Sequence, residues 1–355
     1  MRAEPLVASR PDDPVTIVIP TYGQADRVAA AIASALAQTH APLEVLVLDD
    51  ASPDGTAAVV ERFRGDPRLR AVRNPANLGR VANYRLGLGL ARGAWVLMLD
   101  GDDVLLDPGF VAAAVGHAAA DFEVVLVVGG QRFHEVAGRR FRDRFPTRRA
   151  VERLDGWEFF LRWRSPLQCV PHLASLYRAA PARALDFYAH DIASSDWESL
   201  RRLCLHGRVT LLRRLAGEWR GHETNVSRTL DPDSHLENLV AILAPGEAAA
   251  RSGRGGWRLW LWKWDALQRY VAMYFEAALS RGDAAAVRAF EQGLERRIGR
   301  VAARVLVRSC WASRPSLWTK LALRSLGGER LLAAARRAWH RWTWTRDRGD
   351  RGKPA

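Results

Sequence analysis

The chain has 355 residues, 48% hydrophobic and 26% charged, with a formal net charge of +14. This length exceeds one ordinary domain and this composition excludes global disorder, so a large folded domain with a smaller companion is expected. Three widely spaced cysteines, Cys169, Cys204 and Cys310, imply neither a disulfide framework nor a zinc cluster, and a reducing cytoplasm is the easier reading.

The first 13 residues carry no apolar run that could form a signal-peptide core, and they are expected to be a disordered tail. A regular alternation follows. "VTIVIP" (15–20) is a short apolar strand, "DRVAAAIASALAQ" (26–38) has helical periodicity, and "EVLVLDD" (44–50) is a buried strand ending in acids. "TAAVVERFR" (56–64) reads as a helix, "LRAVRN" (69–74) as a third strand, "GRVANYRLGLGLARG" (79–93) as a helix and "WVLMLD" (95–100) as a fourth strand. Apolar strands alternating with helices predict a parallel α/β sheet covered on both faces. "DPGF" then starts a helix over 105–119, with Asp107 as cap and Pro108 at its first position. Further along, "EVVLVVGG" (123–130) is a strand, "GWEFFLRWR" (156–164) a short amphipathic helix, "SSDWESLRRLCLHG" (194–207) a helix and "RVTLLRR" (208–214) a strand.

Beyond residue 232 the alternation stops, and 233–355 is expected to be a helical region. From residue 236 onward there are 23 Lys+Arg against 10 Asp+Glu and nine of the 14 tryptophans. Three readings fit this basic, Trp-rich region. It is a helical cap with solvated arginines, a peripheral membrane surface, or a nucleic-acid binder, the last disfavoured because no recognised module is present. No run of about 18 apolar residues occurs, so no membrane span is expected. The final residues, "RDRGDRGKPA", are expected to be disordered.

Three polar clusters lie at strand ends: "PTYGQ", "DDASPDGT" and "DGDD". In open α/β sheets ligands bind outside the carboxyl ends of the strands. An acidic triplet is commonly a solvated turn. Asp100, Asp102 and Asp103, however, end a buried strand with no basic residue before Arg132, and two carboxylates so placed suit a hard divalent cation that neutralises a diphosphate. Asp49 and Asp50 fit equally an Asx-turn or hydrogen bonds to a base or ribose. Neither a G-x-G-x-x-G fingerprint nor a phosphate loop is present. Trp157, Trp163 and Trp219 could offer faces to a sugar, but core packing is the commoner fate of tryptophan.

Taken in order, "VTIVIPTYGQADRVAAAIASALAQTHAPLEVLVLDDASPDGT" and "NPANLGRVANYRLGLGLARGAWVLMLDGDDVLLDP" resemble the inverting glycosyltransferase family 2. The resemblance covers about residues 14–228. It implies a GT-A fold over 14–232, with a mostly parallel sheet flanked by helices. The implied activity is metal-dependent transfer of a sugar from a nucleotide-diphospho-sugar, a UDP-sugar favoured, to a hydroxyl of a glycan or lipid-linked acceptor in cell-surface polysaccharide or glycoconjugate synthesis. Pro20, Thr21 and Tyr22 would line the nucleotide pocket, Asp50 would contact the base, and Arg80 or Asn83 would lie near the base and diphosphate. Asp100, with Gly101, would face the ribose or donor sugar. Asp102 would bind Mn²⁺ or Mg²⁺, with His222 approaching the metal or diphosphate. Asp196 would be the general base. Ser195 departs from the Glu common at that point in the family, Glu198 is a second candidate nearby, and Asp196 reads equally as a helix cap. A non-catalytic nucleotide-sugar-binding subunit is the alternative. The implied location is the cytoplasm, or the inner face of its membrane.

Overall fold

A computed structural model describes residues 8–135, 140–164, 170–222, 225, 231–281 and 283–313. The C-terminal residues 346–355, for which disorder was expected, and Cys169 lie outside these. The chain forms two compact units, one of residues 1–229 with 240–263 and one of 230–239 with 264–355.

The first unit is built on one sheet. Strands β1 (Val15–Thr21), β2 (Leu43–Asp49), β3 (Leu69–Arg73) and β4 (Trp95–Met98) are parallel neighbours in the order β3-β2-β1-β4. β1 is buried at every position, as a strand covered on both faces must be. Its one polar interior residue, Thr16, donates to Glu44 at 2.6 Å and accepts from the Gly93 amide at 2.8 Å, so no buried hydroxyl is left unpaired. Helix α1 (Val28–Leu36) buries Val28, Ala31, Ile32 and Ala35, the i, i+3, i+4, i+7 stripe of a helix on a sheet. Helices α2 (Thr56–Glu61) and α3 (Arg80–Leu90) complete the alternation read from the sequence.

Four strands had no signal in the sequence pattern. β5 (Val104–Leu105) is only two residues long. Further along the chain, past α4 (Phe110–Ala119) and β6 (Val124–Glu135), lie β7 (Arg140–Arg144), β8 (Val151–Asp155) and α5 (Gly156–Arg162). Then β9 (Ser175–Arg178) runs antiparallel between β4 and β6. β9 ends on a buried arginine, which sequence polarity argues against. Arg178 is accommodated because its guanidinium donates to the carbonyls of Val124 and Phe122 and lies 5.0 Å from the centre of the Trp95 ring. After α6 (Ala179–Ala184) and α7 (Ser195–Cys204), β10 (Arg208–Gly221) pairs parallel with β6, giving a ten-stranded mixed sheet among the described residues, parallel over β3-β2-β1-β4 and antiparallel at β9 and at β5, β7 and β8.

Two local expectations change. Helix α4 starts at Phe110 rather than near 105, and Asp107 does not cap it. Its carboxylate accepts from the Gly109 amide at 2.9 Å in an Asx-turn and pairs with Arg214 at 2.7 Å, so the acid closes the loop before the helix. At the other end, part of the stretch expected as a tail is packed. Ser9 is buried and accepts a hydrogen bond from the Trp95 indole at 3.1 Å.

Helix α9 (Val240–Arg251), which follows α8 (Pro232–Glu237), belongs to the first unit. Arg201 on α7 is fully buried and donates to the Ala241 carbonyl at 2.7 Å. It faces Trp163, Trp197 and Trp262, with ring centres 4.8, 6.0 and 5.9 Å from its guanidinium carbon. Trp163 is therefore core, not a sugar platform. Helix α10 (Trp257–Arg281) begins in the first unit and continues into the second. The second unit contains α8, capped by Asp231 on the Ser234 amide, and the later part of α10. It is completed by α11 (Ala284–Ile298), capped by Asp283, and α12 (Arg300–Ser313). Its core holds Tyr274 stacked on Phe290, their ring centres 4.2 Å apart. No helix among the described residues is long and apolar enough to cross a membrane.

Helix α3 carries two of the expected site residues, Arg80 and Asn83, and its seat on the sheet depends on Gly87. A Cβ there would lie 2.6 Å from Val18 and 2.7 Å from Leu48. Gly87→Val should lower stability by about 1–3 kcal/mol through overpacking. A urea melt checks this: the midpoint should fall at unchanged slope, and an unchanged midpoint would contradict the close seat.

Candidate active site

The expected site residues come together at the carboxyl ends of β1, β2 and β4, because parallel strands deliver their C-terminal loops to one edge of the sheet. The ends are laced by backbone bonds. The Asp50 amide donates to the Thr21 carbonyl at 2.9 Å and the Gly101 amide to the Pro20 carbonyl at 3.1 Å. Thr21 is buried and donates to Gln24 at 2.8 Å, whereas Tyr22 stands half-exposed at the edge. A Cβ at Gly101 would lie 2.4 Å from Gln24 and 2.9 Å from the Thr21 hydroxyl, so glycine is needed for this closeness.

Asp50 has a use that the sequence did not reveal. It is buried, and its carboxylate accepts from the Asn74 side chain at 2.7 Å and the amides of Leu78 and Gly79 at 2.9 and 3.0 Å. It therefore shapes the loop leading into α3. Asn83 stands behind it with both ends of its amide engaged, donating to the Leu48 carbonyl and accepting from Asn74. Next to Asp50, Ala51 holds a left-handed backbone at φ 58°, a conformation costing about 1–3 kcal/mol that the surrounding bonds must outweigh.

Arg80 joins two parts of the site. It donates to the carbonyls of Ile192 and Ala193 at 2.9 and 3.1 Å, just before α7, and to the Tyr84 hydroxyl at 3.4 Å. Tyr84 in turn donates to Asp100 at 2.6 Å. Burial works to lower the Arg80 pKa, but Tyr84, Asp100 and Asp196 together hold it above the ordinary arginine value. Tyr84 was missed at the sequence level, although its i+4 spacing from Arg80 places both on one helix face. His172 was missed too. Its ring meets Tyr84 edge-on at 5.2 Å, and its Nε2 lies 2.9 Å from the Tyr188 hydroxyl. It sits in a stretch without clear periodicity, so no local signal marks it.

Asp196 lies in the first turn of α7, after Ser194 at the cap position. Its side chain makes no intramolecular hydrogen bond among the described residues, so it does not act as the helix cap. Glu198 is excluded as a companion base. It is buried and bound by both Nε and a terminal nitrogen of Arg202, at 2.6 and 2.8 Å.

The strand β10 delivers His222 to Asp102, with His222 Nε2 2.8 Å from an Asp102 oxygen and Asn225 braced against the same histidine. Burial and the charge of Asp100 push the Asp102 carboxyl up, against the opposing pull of His222. A carboxylate under excess negative charge beside an imidazole nitrogen fits a divalent cation that keeps most of its coordination for water and a diphosphate. Among the described residues no group of three or more His, Cys, Asp or Glu is arranged to hold a metal alone, so the fit is of this open kind.

Asp103 is fully buried and accepts from the Arg220 amide at 3.0 Å. Burial first, then the charges of Asp102 and Asp100, hold its carboxyl well above the usual range. An acid raised in the fold keeps a proton that the unfolded chain has released, so stability falls as pH climbs from 3.8 towards the raised value. Asp103→Asn keeps an oxygen for the Arg220 amide and removes that titration. In chelator-containing buffer it should melt higher than the parent near pH 8, the gap closing towards pH 4. A gap that does not change with pH would contradict the assignment.

Residues 16–185 match the family model for glycosyl transferase family 2. The succinoglycan biosynthesis protein ExoO of Rhizobium meliloti (strain 1021) is 42% identical over 101 residues, 28% of each chain. The UDP-Glc:alpha-D-GlcNAc-diphosphoundecaprenol beta-1,3-glucosyltransferase WfaP of Escherichia coli is 32% identical over 89 residues, 25% of this chain and 35% of that one. The matched part thus spans about a third or less of these relatives. The crystal structure of S. aureus TarS 1–349 in complex with UDP superposes with a TM-score of 0.53 at 16% identity, covering 84% of this chain and 90% of that one; it shares the fold. Residues 16–185 are thus a glycosyl transferase family 2 segment, set on a sheet fold shared with S. aureus TarS.

Proposed function

We propose that the protein is an inverting, metal-dependent glycosyltransferase that moves a sugar from a nucleotide-diphospho-sugar to an acceptor hydroxyl. The observation that supports this reading is the chain of contacts from Asp100 through Tyr84 and Arg80 to the carbonyls just before α7, with Arg80 under the charge of both Asp100 and Asp196. The loop that Asp50 shapes and the Thr21–Gly101 closure would bound the nucleotide. Asp102 and His222 would hold the divalent cation, which supplies neutralisation of the diphosphate as it departs.

Asp196 is the proposed base. It takes the proton of the acceptor hydroxyl while that oxygen attacks the anomeric carbon from the face opposite the diphosphate. The new C–O bond forms as the bond to the diphosphate oxygen breaks, and that oxygen leaves with the electron pair, so the configuration inverts. Arg80, kept cationic by Tyr84, Asp100 and Asp196, would stabilise negative charge on this side. A UDP-sugar donor and a lipid-linked or glycan acceptor are favoured by the likeness to WfaP, and polysaccharide synthesis by that to ExoO. The proposed setting is the cytoplasmic face of the membrane.

Calorimetric titration with UDP should show binding that strengthens with Mn²⁺, and Asp102→Ala should weaken the metal-dependent part by about 10–100-fold. UDP binding indifferent to metal would overturn the reading of Asp102. In a transfer assay, Asp196→Asn should lower kcat by about 10²–10⁴-fold while UDP affinity holds. Unchanged kcat removes Asp196 as base. Metal-dependent UDP binding with neither hydrolysis nor transfer across a panel of nucleotide sugars would favour a non-catalytic binding subunit, for which the buried Ser195 is the one encouragement.

A further inference from the structure

The start of helix α10 shows the opposite of an ordinary surface helix. Trp257, Trp260 and Leu261 are 71%, 62% and 42% exposed. Spacing of i, i+3 and i+4 puts them on one face. The other face, Leu259 and Trp262, is buried. Trp262 packs on Phe160, ring centres 4.3 Å apart, and its indole donates to the Trp163 carbonyl at 3.2 Å. The segment is therefore fixed to the first unit by one side while its aromatic side looks outward.

Its surroundings are basic and bare. Between Glu247 and Asp265 lie Arg251, Arg254, Arg258 and Lys263 with no acid. Arg258 is neutralised by Glu158, to which it donates at 2.9 and 2.8 Å. Arg251 stands 3.8 Å from Glu247, and its side chain is largely exposed. The turn before the helix contains Gly253, Gly255 and Gly256, and a Cβ at any of them would meet nothing within 4 Å. A flat surface can thus approach this turn closely.

We propose that Trp257, Trp260 and Leu261, rimmed by Arg251, Arg254 and Lys263, seat the protein on an anionic lipid bilayer. Indole rings favour the boundary between headgroups and acyl chains, and Arg and Lys are drawn to anionic headgroups. Scattered exposed apolar residues are normal, but three on one helical face are not. Charge argues against two other occupants. Residues 314–355 hold 11 Lys+Arg against three Asp+Glu, so they would be repelled by the rim. A second copy would bring its own arginines against these.

The test needs no glycosyl transfer, so its failure leaves the proposed reaction untouched. The full chain is sedimented with vesicles of phosphatidylcholine alone and of phosphatidylcholine mixed with phosphatidylglycerol. Wild type should bind the mixed vesicles and lose binding as salt rises. Trp257→Ala/Trp260→Ala should bind at least about tenfold more weakly and Arg251→Glu/Arg254→Glu weaker still, whereas Trp257→Phe/Trp260→Phe should recover most of the binding. UDP binding should be equal in all variants, which shows that they fold. No binding of wild type, or binding undiminished in the double alanine variant, overturns the proposal. So does light scattering in which the alanine variant turns a dimer into a monomer, since that assigns the face to a second copy.

Discussion

Three carboxylates crowded at the end of β4 dictate what their neighbours must be. Asp100, Asp102 and Asp103 repel one another in a setting with little water, and each is answered by a different group: a tyrosine hydroxyl, a histidine ring and a backbone amide. None of these is a full positive counter-charge in direct contact. Burial raises Asp102 and Asp103 further, so the cluster stays electrostatically unsatisfied. An unsatisfied negative pocket is poor for stability and well suited to capturing a cation. Arg80 stands one tyrosine away, close enough to moderate the field without quenching it.

The opposite solution is used around Arg201. Here a buried cation has no carboxylate partner in contact among the described residues; it is held by aromatic faces and one carbonyl. Desolvation drives its pKa down to about 10, which still leaves it charged at neutral pH. Cation–π contacts of this kind contribute about 0.5–2 kcal/mol each, more when water is excluded. The arrangement ties α7, the helix bearing Asp196, to helix α9 and to Trp262. An apolar residue of like volume could be tolerated in packing terms, so the arginine here fixes a geometry more than it adds stability.

The alternating elements of the first hundred residues were legible because each strand there is wholly buried, and uniform apolarity followed by a helical stripe has few other readings. The strand-end acids were legible because topology sends all of them to one edge. Other features depend on contacts far apart in sequence. β9 contains a buried arginine whose acceptors are carbonyls some 54 residues away. Asp50 reads locally as a turn residue or a base contact, yet its partners are Asn74, Leu78 and Gly79 across a helix and a strand. Glu198 looked available until Arg202, one helical turn on, was seen to hold both of its oxygens. For β9 and Asp50 the compensating groups come from distant segments, whereas for Glu198 the partner sits on the same helix.

The separation of Asp102 from His222 also has a consequence for the newborn chain. The two residues lie 120 positions apart, and His222 arrives only after β10, the last strand in chain order among the described residues. At a synthesis rate of about 5–20 residues per second, the acids would wait roughly 6–24 s for their imidazole. During that interval the acids at the end of β4 lack this partner. This contact is thereby completed late in synthesis, after the strands that carry the acids have been made.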